Sequence, residues 1–182
     1  MKKVLLLGDS IRLNIQPMVY KLLSDTAEVH GPDDNCRFSR YTLWHLDEWL
    51  ANEKFDIIYV NCGIWDITRK EHYQNERFTE LYEYTRDMTR VVEALKTTGA
   101  KIVVASSTPV KKDSDFHKIS DIIMYNEALK RVAQNQDVVF IDNFSVIDAD
   151  KEQYICEDNI HLSKQGIKVL GTFVAENIKK LL

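Results

Sequence analysis

Two short segments at opposite ends of the chain contain the residue types of a serine nucleophile and its activating pair. Ser10 ends the tripeptide Gly8-Asp9-Ser10, directly after the apolar run Val4–Leu7, and Asp158 precedes His161 by three residues near the C-terminus. A serine hydroxyl attacks an acyl group when a base takes its proton and a third group orients that base. These residue types therefore predict Ser10 as nucleophile, His161 as base and Asp158 as the orienting carboxylate.

The spacing and chain order strengthen this interpretation. In a loop or a first helical turn, a carboxylate three residues before a histidine can reach its ring, so Asp158 can pair with His161. Each segment alone is also typical of an ordinary strand-end turn or a helix cap. The order Ser, Asp, His across one small domain favours catalysis over those simpler interpretations.

Composition limits the class of protein. The chain has 182 residues, 45% of them hydrophobic, and a net charge of −4. This length predicts one domain, residues 1–182. No basic run is present, which argues against a nucleic-acid partner. No apolar run is long enough for a signal peptide or a membrane span. We therefore expect a cytoplasmic protein, or a mature form whose signal has been removed.

Five apolar, β-branched runs alternate with helical patterns, which predicts βαβ units and a parallel sheet with helices on both faces. A helix after the first strand is predicted to start near Pro17, with residues 11–16 as a tight lead-in. A long third helix contains Phe78 and ends at Gly99, and Ser163 is the expected N-cap of the last helix. The predicted strands are Lys3–Leu7, Ala27–His30, Asp56–Asn61, Lys101–Ser106 and Val138–Asp142.

This architecture gives a first check on the proposed chemistry. Ligands and reacting groups in parallel α/β sheets gather at the carboxyl ends of the strands. Ser10 follows the first predicted strand, and the segment 63–66 follows the third. Both segments are therefore expected at the same edge of the sheet.

With these motifs in place, the sequence resembles the SGNH, or GDSL, hydrolases along its whole length. The segment Leu6-Leu7-Gly8-Asp9-Ser10 matches the family's nucleophile motif, and Asp158-Asn159-Ile160-His161-Leu162 followed by Gly166 is similar to its final motif. Ser107-Thr108-Pro109-Val110 and Tyr125-Asn126 are also similar to common family segments. The resemblance implies a flavodoxin-like α/β/α fold with a five-stranded parallel sheet. It also implies hydrolysis of short-chain esters or thioesters, often acetyl groups on carbohydrates, without metal or cofactor.

The chain departs from the family pattern where an oxyanion would be bound. The usual Gly-x-Asn-Asp motif reads Gly63-Ile64-Trp65-Asp66, so Trp65 replaces an asparagine that donates a hydrogen bond. In the segment 35–42, Arg40 stands where the family has a glycine whose N–H donates. A backbone N–H survives that replacement, whereas a side-chain amide does not. The candidate substitutes are the indole Nε1–H of Trp65 and the amides of Asn35 and Asn61.

Several alternatives stay open at this point. Cys36, Cys62 and Cys156 lie in or beside the motif loops and, with His161, have the ligand types of a zinc site, but no metal-binding spacing supports one. We expect no metal or cofactor and a small-molecule or saccharide ester as substrate; the sequence does not predict an oligomeric state. Acyl transfer to a second alcohol is an alternative reaction. An inactive sugar- or lipid-binding module is an alternative class, because the oxyanion asparagine is missing.

Overall fold

A computed structural model describes residues 1–51 and 53–182, and its sheet agrees with the predicted one. Five parallel strands lie in the order β2-β1-β3-β4-β5. Each predicted strand is present with its ends within one residue of those expected. The strands are β1 Lys2–Leu7, β2 Ala27–His30, β3 Ile57–Asn61, β4 Lys101–Ala105 and β5 Val139–Ile141.

Helices connect the strands, and the five long ones coincide with the predicted patterns. Two short helices near the C-terminus, α5 and α6, were not predicted because they span fewer than two turns and show no apolar periodicity. A 3₁₀ turn covers Glu71–Tyr73. The helices are α1 Ser10–Leu23, α2 Ser39–Leu50, α3 Leu81–Lys96, α4 Ile119–Asn135, α5 Asn143–Asp148, α6 Lys151–Tyr154 and α7 Lys164–Lys179.

Alternating side chains of β1, β3, β4 and β5 enter two separate cores. Val4 and Leu6 of β1 pack with α1 and α7 on one face of the sheet. Leu5 and Leu7 pack with α2, α3 and α4 on the other face. All four side chains are buried, as expected of a parallel strand covered on both faces. The flavodoxin-like three-layer α/β/α architecture is therefore confirmed.

The predicted start of the first helix is wrong. Helix α1 begins at Ser10, and Pro17 lies inside it. The Oδ1 atom of Asp9 accepts the Ile11 N–H at 2.9 Å and caps the helix. An internal proline costs about 3 kcal/mol or more, but Ile11 and Ile15 are buried in the turns before it. Capping and burial therefore stabilise a helix that local preference alone would interrupt.

The structure also fixes the start and end of α3 and the start of α7. Phe78 was assigned to the third helix but lies before it, where its N–H donates to the Thr68 carbonyl at 3.0 Å. Gly99 has a φ of +78° and lies three residues after the end of α3. Ser163 is confirmed as the N-cap of α7, since its hydroxyl accepts the Gly166 N–H at 3.1 Å.

No helix in the described part of the chain is both long enough and apolar enough to cross a membrane.

The start of α7 packs very closely against the end of α6, and this contact fixes the loop between them. A Cβ atom on Gly166 would lie 2.1 Å from the backbone carbonyl oxygen of Tyr154. The same carbonyl accepts the Ser163 N–H at 2.8 Å. Only a residue without a side chain permits this approach, so Gly166 sets the position of the segment 155–162.

We predict that Gly166→Ala lowers the free energy of unfolding by about 1–3 kcal/mol, because the backbone at Tyr154 must shift. Chemical denaturation measures the change. Lys168→Ala, at an exposed position of the same helix, is the control and should change the free energy of unfolding by less than about 0.5 kcal/mol. Equal losses in the two variants would contradict the assignment.

Candidate active site

Ser10 lies at the first turn of α1, at the carboxyl end of strand β1, which lies between β2 and β3 in the sheet. The strand ends at Leu7, and Gly8 and Asp9 form the turn into the helix. A Cβ on Gly8 would lie 2.6 Å from the Asn61 Oδ1 atom, so only glycine fits this turn against β3. The Ser10 N–H belongs to the first helical turn, where backbone N–H groups have no intrahelical acceptor.

His161 and Asp158 form a hydrogen-bonded chain with Ser10. The His161 Nε2 atom lies 3.0 Å from the Ser10 Oγ atom, and Nδ1 lies 2.7 Å from the Asp158 Oδ2 atom. An ionised carboxylate only accepts hydrogen bonds, so Nδ1 carries the ring proton and Nε2 is free to accept one. The structure thus brings together the three residues that the sequence singled out. Ser10 and His161 are 151 positions apart in the chain.

The environment of Asp158 keeps its carboxylate ionised. Burial acts to raise its pKa, but hydrogen bonds from the Ile160 N–H, the His161 ring and the His161 N–H outweigh burial and lower the pKa below its ordinary value. The two backbone bonds are 3.1 and 2.9 Å long. They also fix the carboxylate relative to the ring that it orients.

The loop that carries His161 is held at both ends and in the middle. Ile155 and Leu162 form an antiparallel bridge, and the Cys156 N–H donates to the His161 carbonyl at 2.7 Å. Asn159 adopts a left-handed φ of +76°, and its side chain exchanges two hydrogen bonds with the backbone of Lys112. The imidazole is therefore positioned by a rigid turn and not by a free loop.

Arg12 supports the turn at Ser10 and was missed by the sequence reasoning. Its side chain is fully buried, and its guanidinium donates to the carbonyls of Pro32, Asp34 and Gly8 at 2.8, 2.7 and 3.3 Å. The sequence contained a signal for it, because Arg12 shares the helix face of the buried Ile15. A charged residue on a buried face requires compensating partners.

Asp66 fixes the start of α2 beside the nucleophile. Its buried carboxylate accepts the Ser39 N–H at 3.0 Å and the Ser39 hydroxyl at 2.6 Å. Burial raises the pKa of Asp66 to about 6. Phe38, directly before Ser39, lines the same cavity as Ser10, so the N-terminus of α2 lies beside the reactive serine.

The Arg40 side chain points away from this edge of the sheet. Its guanidinium bonds Asp87 at 2.9 Å and Glu83 at 3.4 Å on helix α3. Arg40 occupies the second position of α2, so its backbone N–H has no intrahelical acceptor. The Arg40 backbone N–H is therefore available as a donor at the N-terminus of α2, whereas its guanidinium pairs with the two carboxylates on α3.

The other predicted oxyanion residues take different positions. Trp65 lines the cavity and is 39% exposed. Gly63 lies behind it, where a Cβ would be 2.7 Å from the Ser107 Oγ atom. Asn35 uses its side-chain oxygen to accept the Arg37 N–H at 2.8 Å in a local turn. Asn61 is buried beneath Gly8 and does not line the cavity, so Trp65 is the candidate best placed to meet a substrate.

The cysteines do not assemble with His161. Cys36 and Cys62 are buried and Cys156 is half-buried. Within residues 1–51 and 53–182, no group of three or more His, Cys, Asp or Glu side chains has the arrangement of a metal site.

A cavity of about 310 Å³ opens beside Ser10 and His161. Most of its wall is apolar, and among the residues that the structure describes Lys70 is the one permanently charged side chain that lines it. Phe38 and Phe78 meet edge to face, with ring centroids 4.8 Å apart. The sequence motifs did not reveal this cavity, because its walls come from separate segments; they are Phe38, Ile64, Trp65, Thr68, Lys70, Phe78, His117 and Ile160.

Comparison with known proteins defines the class. The model of the GDSL-like Lipase/Acylhydrolase family matches residues 23–169, a span that includes Asp158 and His161 and begins after Ser10. The chain belongs to this family, as its motifs predicted, and it is an SGNH-type ester hydrolase. A search of curated proteins finds no significant match.

Solved structures share the fold. A lipase/acylhydrolase from Enterococcus faecalis is 16% identical with a TM-score of 0.80, and the alignment covers 99% of this chain and 96% of that one. A mutant acetyl-xylooligosaccharide esterase from Geobacillus Stearmophilus is 17% identical with a TM-score of 0.81, over 97% and 94% of the two chains. An acetyl xylan esterase is 16% identical with a TM-score of 0.73, over 99% of each chain.

The buried carboxylate of Asp9 gives this site a measurable dependence on pH. Burial raises its pKa to about 6, against the lowering effects of the Ile11 N–H and Arg12. The unfolded value is near ~3.9. The folded state therefore prefers neutral Asp9, and its contribution to stability is full below about pH 4 and is lost as the pH rises through about 6.

Asp9→Asn keeps the acceptor for Ile11 and removes this titration. We predict that the free energy of unfolding of the variant relative to wild type rises by about 2 kcal/mol between pH 4 and pH 7. Denaturant titrations at several pH values measure the difference. The exposed Asp25→Asn is the control, and an Asp9→Asn profile parallel to wild type would contradict the prediction.

Proposed function

We propose that the protein is a serine esterase that hydrolyses short-chain O-acyl esters through an acyl-enzyme formed on Ser10. The observation that carries this proposal is the hydrogen-bonded chain from the Ser10 hydroxyl through both nitrogens of His161 to Asp158. In this scheme His161 takes the serine proton as Ser10 attacks the acyl carbon. It then returns the proton to the leaving alcohol, and Asp158 stabilises the imidazolium. Water activated by the same histidine releases the acid.

Donors for the oxyanion come from two helix N-termini in this proposal. The N–H groups of Ser10 and Arg40 occupy the first turns of α1 and α2, where the helix dipole also favours negative charge. Trp65 is the proposed third donor. It lines the cavity with Ser10, and its indole Nε1–H has no acceptor among the described residues. An indole N–H is chemically suited to this role, since it can only donate.

Carbohydrate O-acetyl groups are the proposed natural substrates. The likeness to an acetyl xylan esterase and an acetyl-xylooligosaccharide esterase supports this class. The cavity is small enough to favour a short acyl group, and its aromatic wall suits the apolar face of a sugar ring.

Substitution of the proposed nucleophile tests the mechanism. Ser10→Ala should abolish turnover of p-nitrophenyl acetate and labelling by a fluorophosphonate probe, while the free energy of unfolding changes by less than about 1 kcal/mol. Ser24→Ala, at the exposed end of the same helix, is the matched control and should keep both. Labelling of a different serine, or full activity in Ser10→Ala, would rule out this mechanism.

Substitution of Trp65 tests the proposed oxyanion donor. If Trp65 donates only in the transition state, Trp65→Phe lowers kcat about 10- to 1000-fold with little change in KM. Steady-state kinetics on p-nitrophenyl acetate measure both constants. Trp44→Phe, at the most exposed tryptophan, is the control for the loss of an indole. A change in KM alone would assign Trp65 to the wall of the cavity and not to the oxyanion.

A further inference from the structure

A second histidine lines the cavity and takes no part in the proposed reaction. His117 lies in the loop between β4 and α4 and is only 7% exposed. It lines the same cavity as Ser10 and His161. Burial lowers its pKa, so the ring is neutral at neutral pH.

The hydrogen bonds of Thr68 fix which nitrogen of His117 carries the proton. The Thr68 hydroxyl donates to the Ile64 carbonyl at 2.9 Å. The His117 Nε2 atom lies 3.0 Å from the same hydroxyl oxygen. A hydroxyl has one proton, and it is already used, so Nε2–H must be the donor to Thr68. The lone pair of a neutral imidazole is then on Nδ1.

The backbone around His117 holds the ring in this position. Its N–H donates to the Ser114 hydroxyl at 3.1 Å, and its carbonyl accepts the Ser114 N–H at 2.9 Å. The neighbouring Phe116 carbonyl accepts the Arg69 N–H at 2.9 Å, which ties this loop to the segment that carries Thr68. The ring is therefore pre-organised before any ligand binds.

The Nδ1 acceptor has no partner in the described part of the chain. Phe38, Phe78 and Ile160 make the surrounding cavity wall largely apolar. Lys70, the charged residue of the wall, forms no hydrogen bond with this nitrogen. A neutral imidazole nitrogen without a proton accepts a hydrogen bond, so a hydroxyl of a ligand in this cavity can donate to Nδ1.

We propose that the Nδ1 atom of His117 accepts a hydrogen bond from a hydroxyl group of the ester substrate. The cavity then selects hydroxylated esters, such as partly acylated polyols and sugars, over apolar esters of the same size. A site built to hydrogen-bond a substrate hydroxyl discriminates strongly against the analogue that lacks it. This inference rests on the proposed reaction at Ser10 and adds a specificity-determining residue to it.

Two pairs of esters test the proposal by competition kinetics. Glycerol monoacetate and propyl acetate differ in hydroxyls on the alcohol side, and p-nitrophenyl 3-hydroxybutyrate and p-nitrophenyl butyrate differ on the acyl side. In at least one pair, wild type should prefer the hydroxylated member by about 10-fold in kcat/KM. In His117→Phe, which keeps a ring of similar size, that ratio should fall to within about 3-fold, with the smaller effect on the apolar ester.

Variants of Thr68 separate recognition from a merely structural role and remain informative if His117→Phe fails to fold. Thr68→Ser keeps the hydroxyl and should keep the ratio. Thr68→Val releases the ring proton to either nitrogen and should lower the ratio. Unchanged ratios in both ester pairs for His117→Phe, or for Thr68→Val if the former does not fold, would overturn the proposal. Failure of wild type to hydrolyse any of the four esters would instead count against the esterase itself.

Discussion

The buried guanidinium of Arg12 is the interaction on which the surroundings of the nucleophile depend. It has no carboxylate bonded to it among the described residues, and its charge is met by the backbone carbonyls of Gly8, Pro32 and Asp34. Burying a charge without hydrogen-bond partners costs free energy, so the folded chain must keep all three of these hydrogen bonds to Arg12. They fasten the segment 32–36 to the turn at the end of β1, and the Cys36 N–H adds a bond to the Gly8 carbonyl at 3.0 Å. The start of α2 thereby lies beside Ser10.

Three aspartates near the site differ in carboxyl pKa because their surroundings differ. Asp158 is half-exposed, and its hydrogen bonds lower its pKa in spite of partial burial. Asp9 and Asp66 are fully buried, and desolvation raises the pKa of each to about 6. The first is suited to support a transient positive charge on His161. The other two cap α1 and anchor the start of α2, so their role is to hold the helix N-termini that face the cavity.

The wall of the cavity beside Ser10 comes from several separate segments of the chain. Ser10 and His161 lie at one part of its wall, and the rest comes from Phe38 before α2, the segment 64–78, the loop that carries His117, and Ile160. Hydrogen bonds from Arg69 to Phe116, and from Thr79 to the Asp66 carbonyl at 2.9 Å, connect these segments to one another. Ser10 thus directly follows a strand of the sheet, whereas most of the cavity wall lies on longer connections, where the proposed esterase would contact the rest of its substrate. Loops on a rigid sheet are where specificity can vary without loss of the fold.

The sequence alone predicted the parallel sheet, the five long helices and the family, and it singled out Ser10, Asp158 and His161, whose side chains the structure places in one hydrogen-bonded chain. Each of these depends on a local pattern: apolar runs, helical spacing, or a motif of a few adjacent residues. Only the tertiary structure decided that α1 runs through Pro17, that Arg12 is buried, and that Trp65 and His117 line the same cavity. These facts depend on packing between segments distant in the chain, where burial and hydrogen bonds across the sheet edge outweigh local preference. No spacing in one segment can report that Thr68 fixes the ring of a histidine 49 residues away.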